Sequence, residues 1–266
     1  MEHSQLLKNE KSQIENEVIF LSDPEEFKKQ EQLYLEVRNK EGRLYSDEIV
    51  ETLPKLNSDH QLYDEWQIRK NSLQRIILYL KKKMAPLKIL DLGCGNGWLA
   101  NQLAENLKCR IYALDMNTIE LEQGVRVFGK DPNLIFQYGN IFEPDYSDRE
   151  FDIVLLASSV QYFPDMQKLI GRLLELLSSN GEIHIVDSPF YQSHAVSAAR
   201  ERTKRYYQKI GFPEMANHYF HHSLSDLNIF NLKLLYNPNF LVQRFLNKFS
   251  CYNSPFPWIR VSHEEK

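Results

Sequence analysis

The chain has 266 residues, of which 42% are hydrophobic and 12% aromatic, and its formal net charge is −4. This length fits one large α/β domain or one domain with an appendage. The acidic balance excludes a global basic field that would draw the protein to nucleic acid. The N-terminus lacks the apolar core of a signal peptide, and no run reaches the roughly 18 apolar residues of a membrane span, so we predict a cytoplasmic protein.

The cysteines and histidines do not indicate a metal site. Cys94, Cys109 and Cys251 are an odd set without CxxC spacing, which gives neither a disulfide framework nor a zinc site. Cys94 falls in a glycine-rich turn that needs a small residue, so a catalytic thiol is the less favoured interpretation. His218 and His222 have the i, i+4 spacing of two ligands on a helix, but no third ligand accompanies them. We therefore predict that no metal is bound.

The first third of the chain carries mostly helical patterns, and we predict that residues 1–84 form an N-terminal helical cap or arm. Residues 1–22 are polar and weakly periodic, which is typical of a frayed arm or a loosely docked helix. Apolar residues spaced by three and four predict further helices from Pro24 onward, over Ser46–Leu53 and over about Tyr63–Lys83.

From residue 85 onward, short apolar runs alternate with helical patterns. The apolar runs predict five strands, over Lys88–Leu92, Arg110–Asp115, Leu134–Tyr138, Phe151–Leu156 and Glu182–Val186. The patterns between them predict three helices, over Trp98–Asn106, from the capping residue Asn117 to near Gly129, and over Asp165–Ser178. Such alternation predicts βαβ units and a doubly wound, mainly parallel α/β sheet.

The patterns beyond residue 190 are weaker. They predict two helices and two strands, over Ala195–Gln208, Ser223–Phe230, Lys233–Tyr236 and within Pro255–Val261. We predict that residues 85–266 form one domain with a lid-like insertion at about 190–230. The aromatic-rich region from Tyr206 to Trp258 could cover an apolar or sugar-containing small molecule, or could be ordinary core.

The stretch Lys88–Leu99 predicts a buried strand, a tight glycine turn and the start of a helix. Glycines at 93, 95 and 97 remove side-chain bulk where the backbone bends and a ligand approaches closely. The helix that follows points its free N–H groups and positive dipole end at that ligand. Ligands of open α/β sheets bind at the carboxyl ends of the strands, so we expect the binding crevice at this turn.

Two acidic residues near the glycine turn indicate which type of ligand binds there. Asp115 ends the next strand, where a carboxylate can accept hydrogen bonds from both ribose hydroxyls of an adenosine ligand. Asp91 precedes Gly93, where an acid would repel a pyrophosphate but could face a cationic amino-acid group. The spacing D-x-G-x-G-x-G is also tighter than the G-x-G-x-x-G of dinucleotide sites. The pattern therefore favours S-adenosylmethionine over NAD.

The sequence of Leu90–Gly97, LDLGCGNG, resembles the first motif of the class I S-adenosylmethionine-dependent methyltransferases, especially bacterial members that act on small molecules. In this resemblance Asp115 matches the ribose-binding acid. Gly139–Ile141 matches a segment that contacts the adenine amino group, with Asn140 in place of the frequent Asp. Ala157–Asp165 resembles the segment that lines the methionine end of the cofactor.

The resemblance covers roughly residues 65–190. It implies a Rossmann-like sheet of seven strands, mostly parallel with an antiparallel last strand, and methyl transfer from a sulfonium donor. The cofactor-binding residues that it implies are Asp91, Gly93, Cys94, Gly95, Gly97, Trp98, Asp115, Met116, Asn140, Ile141, Ala157, Ser158 and Arg69. Upstream, Glu65–Arg69 resembles a helix that covers the cofactor, which implies that Arg69 reaches the cofactor carboxylate near Trp66 or Tyr45. The alternative is a core Trp66 and a surface ion pair of Arg69.

The acceptor is less defined. Methyl transfer is an in-line displacement, so a general base is needed only for a hydroxyl or protonated amine acceptor. Tyr162, Asp187 and His194 are the catalytic candidates. Further candidates are Gln161, Tyr191, Tyr206, Tyr207 and His218–His222.

The segment after the fourth strand, Ala157–Ser159, lacks the Asn/Asp-Pro-Pro-aromatic loop of methyltransferases that act on nucleobases. We therefore predict a methyltransferase with a small-molecule acceptor and without a nucleic-acid partner. An NAD-dependent oxidoreductase and a cofactor-binding regulatory module without transfer activity are the alternatives.

Overall fold

The computed structural model describes residues 13–15, 18–143, 150–240 and 252–263. The strands in these residues are β1 (Gln13–Glu15), β2 (Val18–Phe20), β3 (Leu87–Leu92), β4 (Cys109–Asp115), β5 (Leu134–Tyr138), β6 (Phe151–Ala157), β7 (Leu177–Val186), β8 (Phe190–Tyr191), β9 (His222–Ser223), β10 (Asn231–Tyr236) and β11 (Trp258–Ser262). The α-helices are α1 (Lys28–Lys40), α2 (Asp47–Thr52), α3 (Tyr63–Leu80), α4 (Trp98–Asn106), α5 (Thr118–Phe128), α6 (Met166–Glu175) and α7 (Val196–Ile210).

The main sheet has the strand order β1-β2-β5-β4-β3-β6-β7-β11-β10. The seven strands from β5 to β10 in this order form the expected sheet. Strands β5, β4, β3, β6 and β7 are parallel, β11 is antiparallel to β7, and β10 is antiparallel to β11. Among these seven, β11 alone runs against the others in the described residues. The mostly parallel α/β fold with an antiparallel last strand is therefore confirmed.

Strands β1 and β2 extend the sheet beyond the seven expected strands. The prediction of a frayed arm or docked helix is wrong for Val18–Phe20, since Ile19 and Phe20 pair in parallel with Gln137 and Tyr138 of β5. Val18 is fully buried. An apolar run of three residues is too short for helical periodicity but sufficient for an edge strand, and part of the predicted N-terminal cap therefore belongs to the sheet. Residues 1–12 of that arm lie outside the described residues.

Helix α6 is shorter than predicted. It ends at Glu175, and β7 begins two residues later at Leu177, so the predicted end of the helix at Ser178 lies inside a strand, as do Asn180 and Gly181 after it. The register of β6 and β7 shifts there, and a Cβ on Gly181 would lie 2.7 Å from the carbonyl oxygen of Phe151. The glycine allows a close backbone approach at a bulge instead of ending the helix.

Two hydrophobic clusters cover the two faces of the sheet, and a third lies outside it. Helices α3, α4 and α5 pack on one face, and α6 packs on the other. The third cluster joins α1 to α7 and the 3₁₀ helix after it through Val37, Tyr207 and Met215. The predicted helix over Ser223–Phe230 is only a 3₁₀ turn, Leu224–Leu227. No helix in the described part of the chain is long and apolar enough to cross a membrane.

Candidate functional site

The glycine turn follows β3 in a conformation that favours glycine. Gly93, Gly95 and Gly97 have φ angles of 78°, 55° and 74°. A Cβ on Gly93 would lie 2.4 Å from Cβ of Ser159, and a Cβ on Gly97 would lie 2.4 Å from the Phe136 ring. Both the backbone conformation and the surrounding packing therefore require glycine at these two positions.

Asp115 is fixed beside this turn by backbone donors. Its Oδ2 accepts a hydrogen bond from the backbone N–H of Gly95 (2.8 Å), and its Oδ1 accepts from those of Met116 (2.7 Å) and Asn117 (3.0 Å). Burial raises the pKa of Asp115, although the three N–H donors oppose this shift. The carboxyl group thereby connects the end of β4 to the glycine turn.

Asp91 is a buried acid with an unused oxygen atom. It is 1% exposed in β3, and its Oδ2 has no hydrogen-bond partner among the described residues. Burial raises the pKa of Asp91 to about 7, and the nearby charge of Asp115 adds to this shift. A buried polar atom without a partner costs free energy, so Asp91 is a candidate for binding a cationic ligand.

A cavity of about 760 Å³ lies at the carboxyl ends of the central strands, next to these groups. It is lined by all the expected cofactor-binding residues except Gly97, namely Asp91, Gly93, Cys94, Gly95, Trp98, Asp115, Met116, Asn140, Ile141, Ala157, Ser158 and Arg69. Gly97 begins α4 and packs under the ring of Phe136. The structure therefore brings the other predicted cofactor-binding residues to one site, and Gly97 packs behind this site.

Arg69 lies on the cavity wall and also forms an ion pair. Its Nη2 is 2.9 Å from Oε1 of Glu65, and its guanidinium lies 5.3 Å from the Trp66 ring. Trp66 is buried, donates a hydrogen bond to the Tyr45 hydroxyl (2.9 Å), and packs against Trp98 at 5.0 Å. Features of both sequence-based interpretations are present, because a core tryptophan and an ion pair also border the cavity.

Two of the three catalytic candidates, Tyr162 and Asp187, line the same cavity. Oδ1 of Asp187 accepts hydrogen bonds from the hydroxyls of Ser72 (2.7 Å) and Ser254 (2.8 Å), and burial raises the pKa of Asp187. Asp187 and Ser158 have positive φ angles of 49° and 56°, and the Ser158 hydroxyl donates to the Asp187 carbonyl (2.9 Å). Such strained non-glycine residues often cluster at functional sites.

The structure does not bring His194 to the cavity. His194 is exposed in the 3₁₀ turn Ser193–Ala195, just before the N-terminus of α7, and is not among the lining residues. It therefore does not join Tyr162 and Asp187. Of the further candidates, Gln161, Tyr206 and Tyr207 line the cavity, whereas Tyr191 does not.

The histidine pair does not lie on one α-helix. His218 ends a 3₁₀ helix, and His222 lies in β9, where its Nε2 is 3.2 Å from the carbonyl oxygen of Val160. His221 has its own partner, the hydroxyl of Thr203 at 2.8 Å. The structure describes no group of three or more potential metal ligands in residues 13–15, 18–143, 150–240 and 252–263.

Helix α1 contributes cavity residues that are not among the predicted site residues. Tyr34 and Arg38 both line the cavity. The available signal was their spacing, because a residue four positions after an apolar-stripe residue lies on the same helix face. An arginine on the apolar face of a helix indicates that this face borders a polar cavity.

The chain matches a known family over this region. A family model described as "Methyltransferase domain" matches residues 80–228, more than half of the chain. The chain therefore belongs to this methyltransferase domain family. The matched residues include the glycine turn, the acid at the end of β4 and the segment after β6.

Similar proteins include methyltransferases of small molecules. The chain is 25% identical to 27-O-demethylrifamycin SV methyltransferase of Amycolatopsis mediterranei, over 62% of this chain and 65% of that protein. It is 30% identical to trans-aconitate 2-methyltransferase of Deinococcus radiodurans, over 51% of this chain and 49% of that protein. The chain thus spans less than two thirds of the length of these curated relatives.

Solved structures support the fold. The YcgJ protein from Bacillus subtilis has a TM-score of 0.54 at 15% identity, covering 74% of this chain and all of that one. A geranyl diphosphate methyltransferase in complex with SAM has a TM-score of 0.51 at 12% identity, covering 77% and 91%. Identities this low indicate a shared fold and do not define a shared substrate.

Proposed function

We propose that the chain is an S-adenosylmethionine-dependent methyltransferase that acts on a small-molecule acceptor. The observation that carries the proposal is the unpartnered, buried Oδ2 of Asp91 beside the glycine turn. An acid at this position suits the ammonium group of the donor's methionine moiety and would repel a pyrophosphate. The NAD-dependent alternative therefore receives no support from the site.

The residues around the cavity fit the remaining parts of this cofactor. Asp115, at the end of β4, would accept hydrogen bonds from the ribose, as acids do at this position in related folds. Asn140, two residues after β5, would contact a ring nitrogen of the adenine through its Nδ2, which has no partner among the described residues, while its Oδ1 accepts from the Phe142 N–H (3.1 Å). Arg69 would bind the carboxylate of the cofactor. Once bound, the cofactor supplies a methyl group that is already activated on a sulfonium.

The chain's own contribution to the reaction is to position the acceptor and exclude water. We assign this role to Tyr162 and Asp187, and the position of both residues on the cavity wall supports the assignment. Tyr207 of α7 and Tyr219, which follows the next 3₁₀ helix, line the cavity, and this supports a lid role for residues 190–230. The boundary between a cap at 1–84 and a domain at 85–266 remains a prediction, as does the cytoplasmic location.

Ligand binding tests the donor. Calorimetric titration of the purified protein with S-adenosylhomocysteine should show binding, whereas NADH should not bind. Replacing Asp115 with alanine should weaken S-adenosylhomocysteine binding at least about tenfold, because it removes hydrogen bonds to a charged acceptor. Binding of NADH alone would refute the proposal, and an unchanged affinity of the Asp115→Ala variant would refute the placement of the ribose.

Transfer of a labelled methyl group tests the activity itself. The protein is incubated with a metabolite extract and S-adenosylmethionine labelled on its methyl group, and labelled small molecules are separated by chromatography. A labelled product that forms only with active protein supports the proposal. Tight binding of S-adenosylhomocysteine without any labelled product would instead favour the cofactor-binding module without transfer activity.

A further inference from the structure

The side of the cavity between α1 and α7 is lined by four tyrosines, Tyr34, Tyr162, Tyr207 and Tyr219, which we call the tyrosine wall. The rings of Tyr34 and Tyr162 are 5.5 Å apart, those of Tyr162 and Tyr219 are 6.0 Å apart, and those of Tyr207 and Tyr219 are 6.1 Å apart. Burial raises the pKa of each phenol, so all four remain neutral donors near neutral pH.

Arg38 borders the tyrosine wall and has spare hydrogen-bonding capacity. Its guanidinium carbon lies 5.6 Å from the centre of the Tyr34 ring, and its side chain is 22% exposed. Its Nε is buried without a partner among the described residues. Its nearest described carboxylate is that of Glu120, where Nη2 and Oε1 are 4.0 Å apart, which is too long for a hydrogen bond.

Two other arginines of the cavity are engaged. Both terminal nitrogens of Arg43 donate to Glu65 at 2.7 Å, and Nη2 of Arg69 donates to the same carboxylate at 2.9 Å. Arg202 lines the cavity from an exposed position. Among the described arginines in the interior of the cavity, Arg38 is therefore the one whose positive charge is least compensated by a carboxylate.

Glu120 offsets the charge of Arg38 only in part. It is 6% exposed, and burial raises its pKa to about 7 although Arg38 lowers it. Its Oε2 also accepts a hydrogen bond from Nδ2 of Asn117 at 3.2 Å. Near neutral pH a fraction of Glu120 is therefore uncharged, which leaves positive potential at Arg38.

We propose that the methyl acceptor carries a carboxylate and that Arg38 binds this carboxylate against the tyrosine wall. The planar guanidinium fork matches a carboxylate, and the phenol hydroxyls and rings supply further donors and apolar surface. One arginine with little compensation balances one negative charge, which suits a carboxylate better than a dianionic phosphate. The inference rests on the proposed function and narrows it to a class of acceptor.

Binding of benzoate and of benzamide, its neutral counterpart, tests the proposal. Each is titrated into the full-length protein saturated with S-adenosylhomocysteine, and binding is followed by ligand-observed NMR. We expect benzoate to bind with a Kd of about 10 mM or lower, and about tenfold more tightly than benzamide. Equal affinities, or no benzoate binding up to about 10 mM, would overturn the proposal.

Variants test whether Arg38 causes the preference for benzoate over benzamide. Arg38→Met should weaken benzoate binding about tenfold and leave benzamide binding unchanged, and Arg38→Lys should lie between because it retains the charge without the fork. Arg205→Met is the matched control, since it removes the same charge from an exposed position of α7 that does not line the cavity, and it should change the Kd less than about twofold.

Titration of each variant with S-adenosylhomocysteine distinguishes a failure of the proposed function from a failure of the proposed role of Arg38. An unchanged affinity in Arg38→Met supports a role toward the acceptor, whereas a loss of S-adenosylhomocysteine binding would overturn it and assign Arg38 to the cofactor. If the wild-type protein does not bind S-adenosylhomocysteine at all, the proposed function fails. The comparison of benzoate with benzamide then still decides whether the cavity selects carboxylates.

Discussion

Replacing Asp91 with asparagine should stabilise the unliganded protein and weaken cofactor binding. Asparagine keeps the shape of the side chain and removes its titration. Asp91 is 1% exposed, its pKa is raised from 3.8 to about 7, and its Oδ2 lacks a partner among the described residues. The Asp91 carboxyl destabilises the free protein but would stabilise the complex, so its replacement should raise the stability of the free protein and lower its affinity for the ligand.

The pKa difference sets the upper limit of the gain in stability. Because the folded-state pKa of Asp91 is raised, the unfolded chain ionises more readily, and the ionised carboxyl destabilises the fold increasingly from about pH 4 up to about pH 7. About three pKa units correspond to roughly 4 kcal/mol. The asparagine amide itself costs about 1–3 kcal/mol if it lacks partners, so we expect a net gain of about 1–3 kcal/mol at pH 8 in urea unfolding.

Affinity for S-adenosylhomocysteine should change in the opposite direction. Loss of a hydrogen bond between charged groups costs about 1.5–3 kcal/mol, which is a factor of about 10–100 in Kd. In the wild-type protein the affinity should also fall about tenfold per pH unit below pH 7, because Asp91 must ionise to pair with the ligand, and Asp91→Asn should lose this slope. Calorimetric titrations between about pH 5.5 and pH 8 measure both effects.

Asp152→Asn provides the control for this prediction. Asp152 accepts hydrogen bonds from the Lys88 N–H (2.8 Å) and the Ser178 hydroxyl (3.2 Å) and does not line the cavity. Its replacement should lower the stability and leave ligand affinity unchanged, because a satisfied carboxylate loses acceptors. An Asp91→Asn protein that is less stable than wild type at pH 8 and binds S-adenosylhomocysteine normally would refute the reasoning.

Three further substitutions test the fold around the site by urea unfolding. Gly93→Ala should cost about 1–3 kcal/mol and reduce S-adenosylhomocysteine binding, because φ is 78° and the new Cβ would lie 2.4 Å from Cβ of Ser159; a neutral effect would contradict the turn geometry. Val18→Ala should cost about 1–3 kcal/mol, because Val18 is fully buried in β2; a cost below about 0.5 kcal/mol would contradict its place in the core. Glu65→Gln should cost about 1 kcal/mol, because it weakens the bidentate pair with Arg43 at a partly exposed position; full stability would show that the pair contributes little.

Much of the sheet and the glycine turn could be predicted because their signals are local. Strand β5 and helix α4 have the predicted bounds, since each is a mostly apolar run or stripe with a clear boundary. The turn at Gly93–Gly97 is encoded by residues that are adjacent in sequence. Glycine itself favours the positive φ angles of this turn, so a short stretch of sequence was sufficient to predict it.

The remaining features depend on contacts between distant segments. Strand β2 has three residues and is defined by its pairing with β5, more than a hundred residues away. Arg38 lies at the cavity because α1 packs against Tyr207 of α7 and its neighbours, which are distant in the sequence. A helical pattern shows which face of a helix is buried, and it does not show which residues lie opposite that face.

Asp187 illustrates how such distant contacts change the interpretation of a residue. The sequence placed it after a strand, where a general base could act. In the structure Ser72 of α3 and Ser254 both donate to its Oδ1, and Ser158 donates to its carbonyl oxygen. A carboxylate held by two hydroxyls, on a backbone with a φ of 49°, joins three separate segments at the edge of the cavity. Because its Oδ1 already accepts two hydrogen bonds, these contacts favour a positioning role for Asp187 over that of a general base.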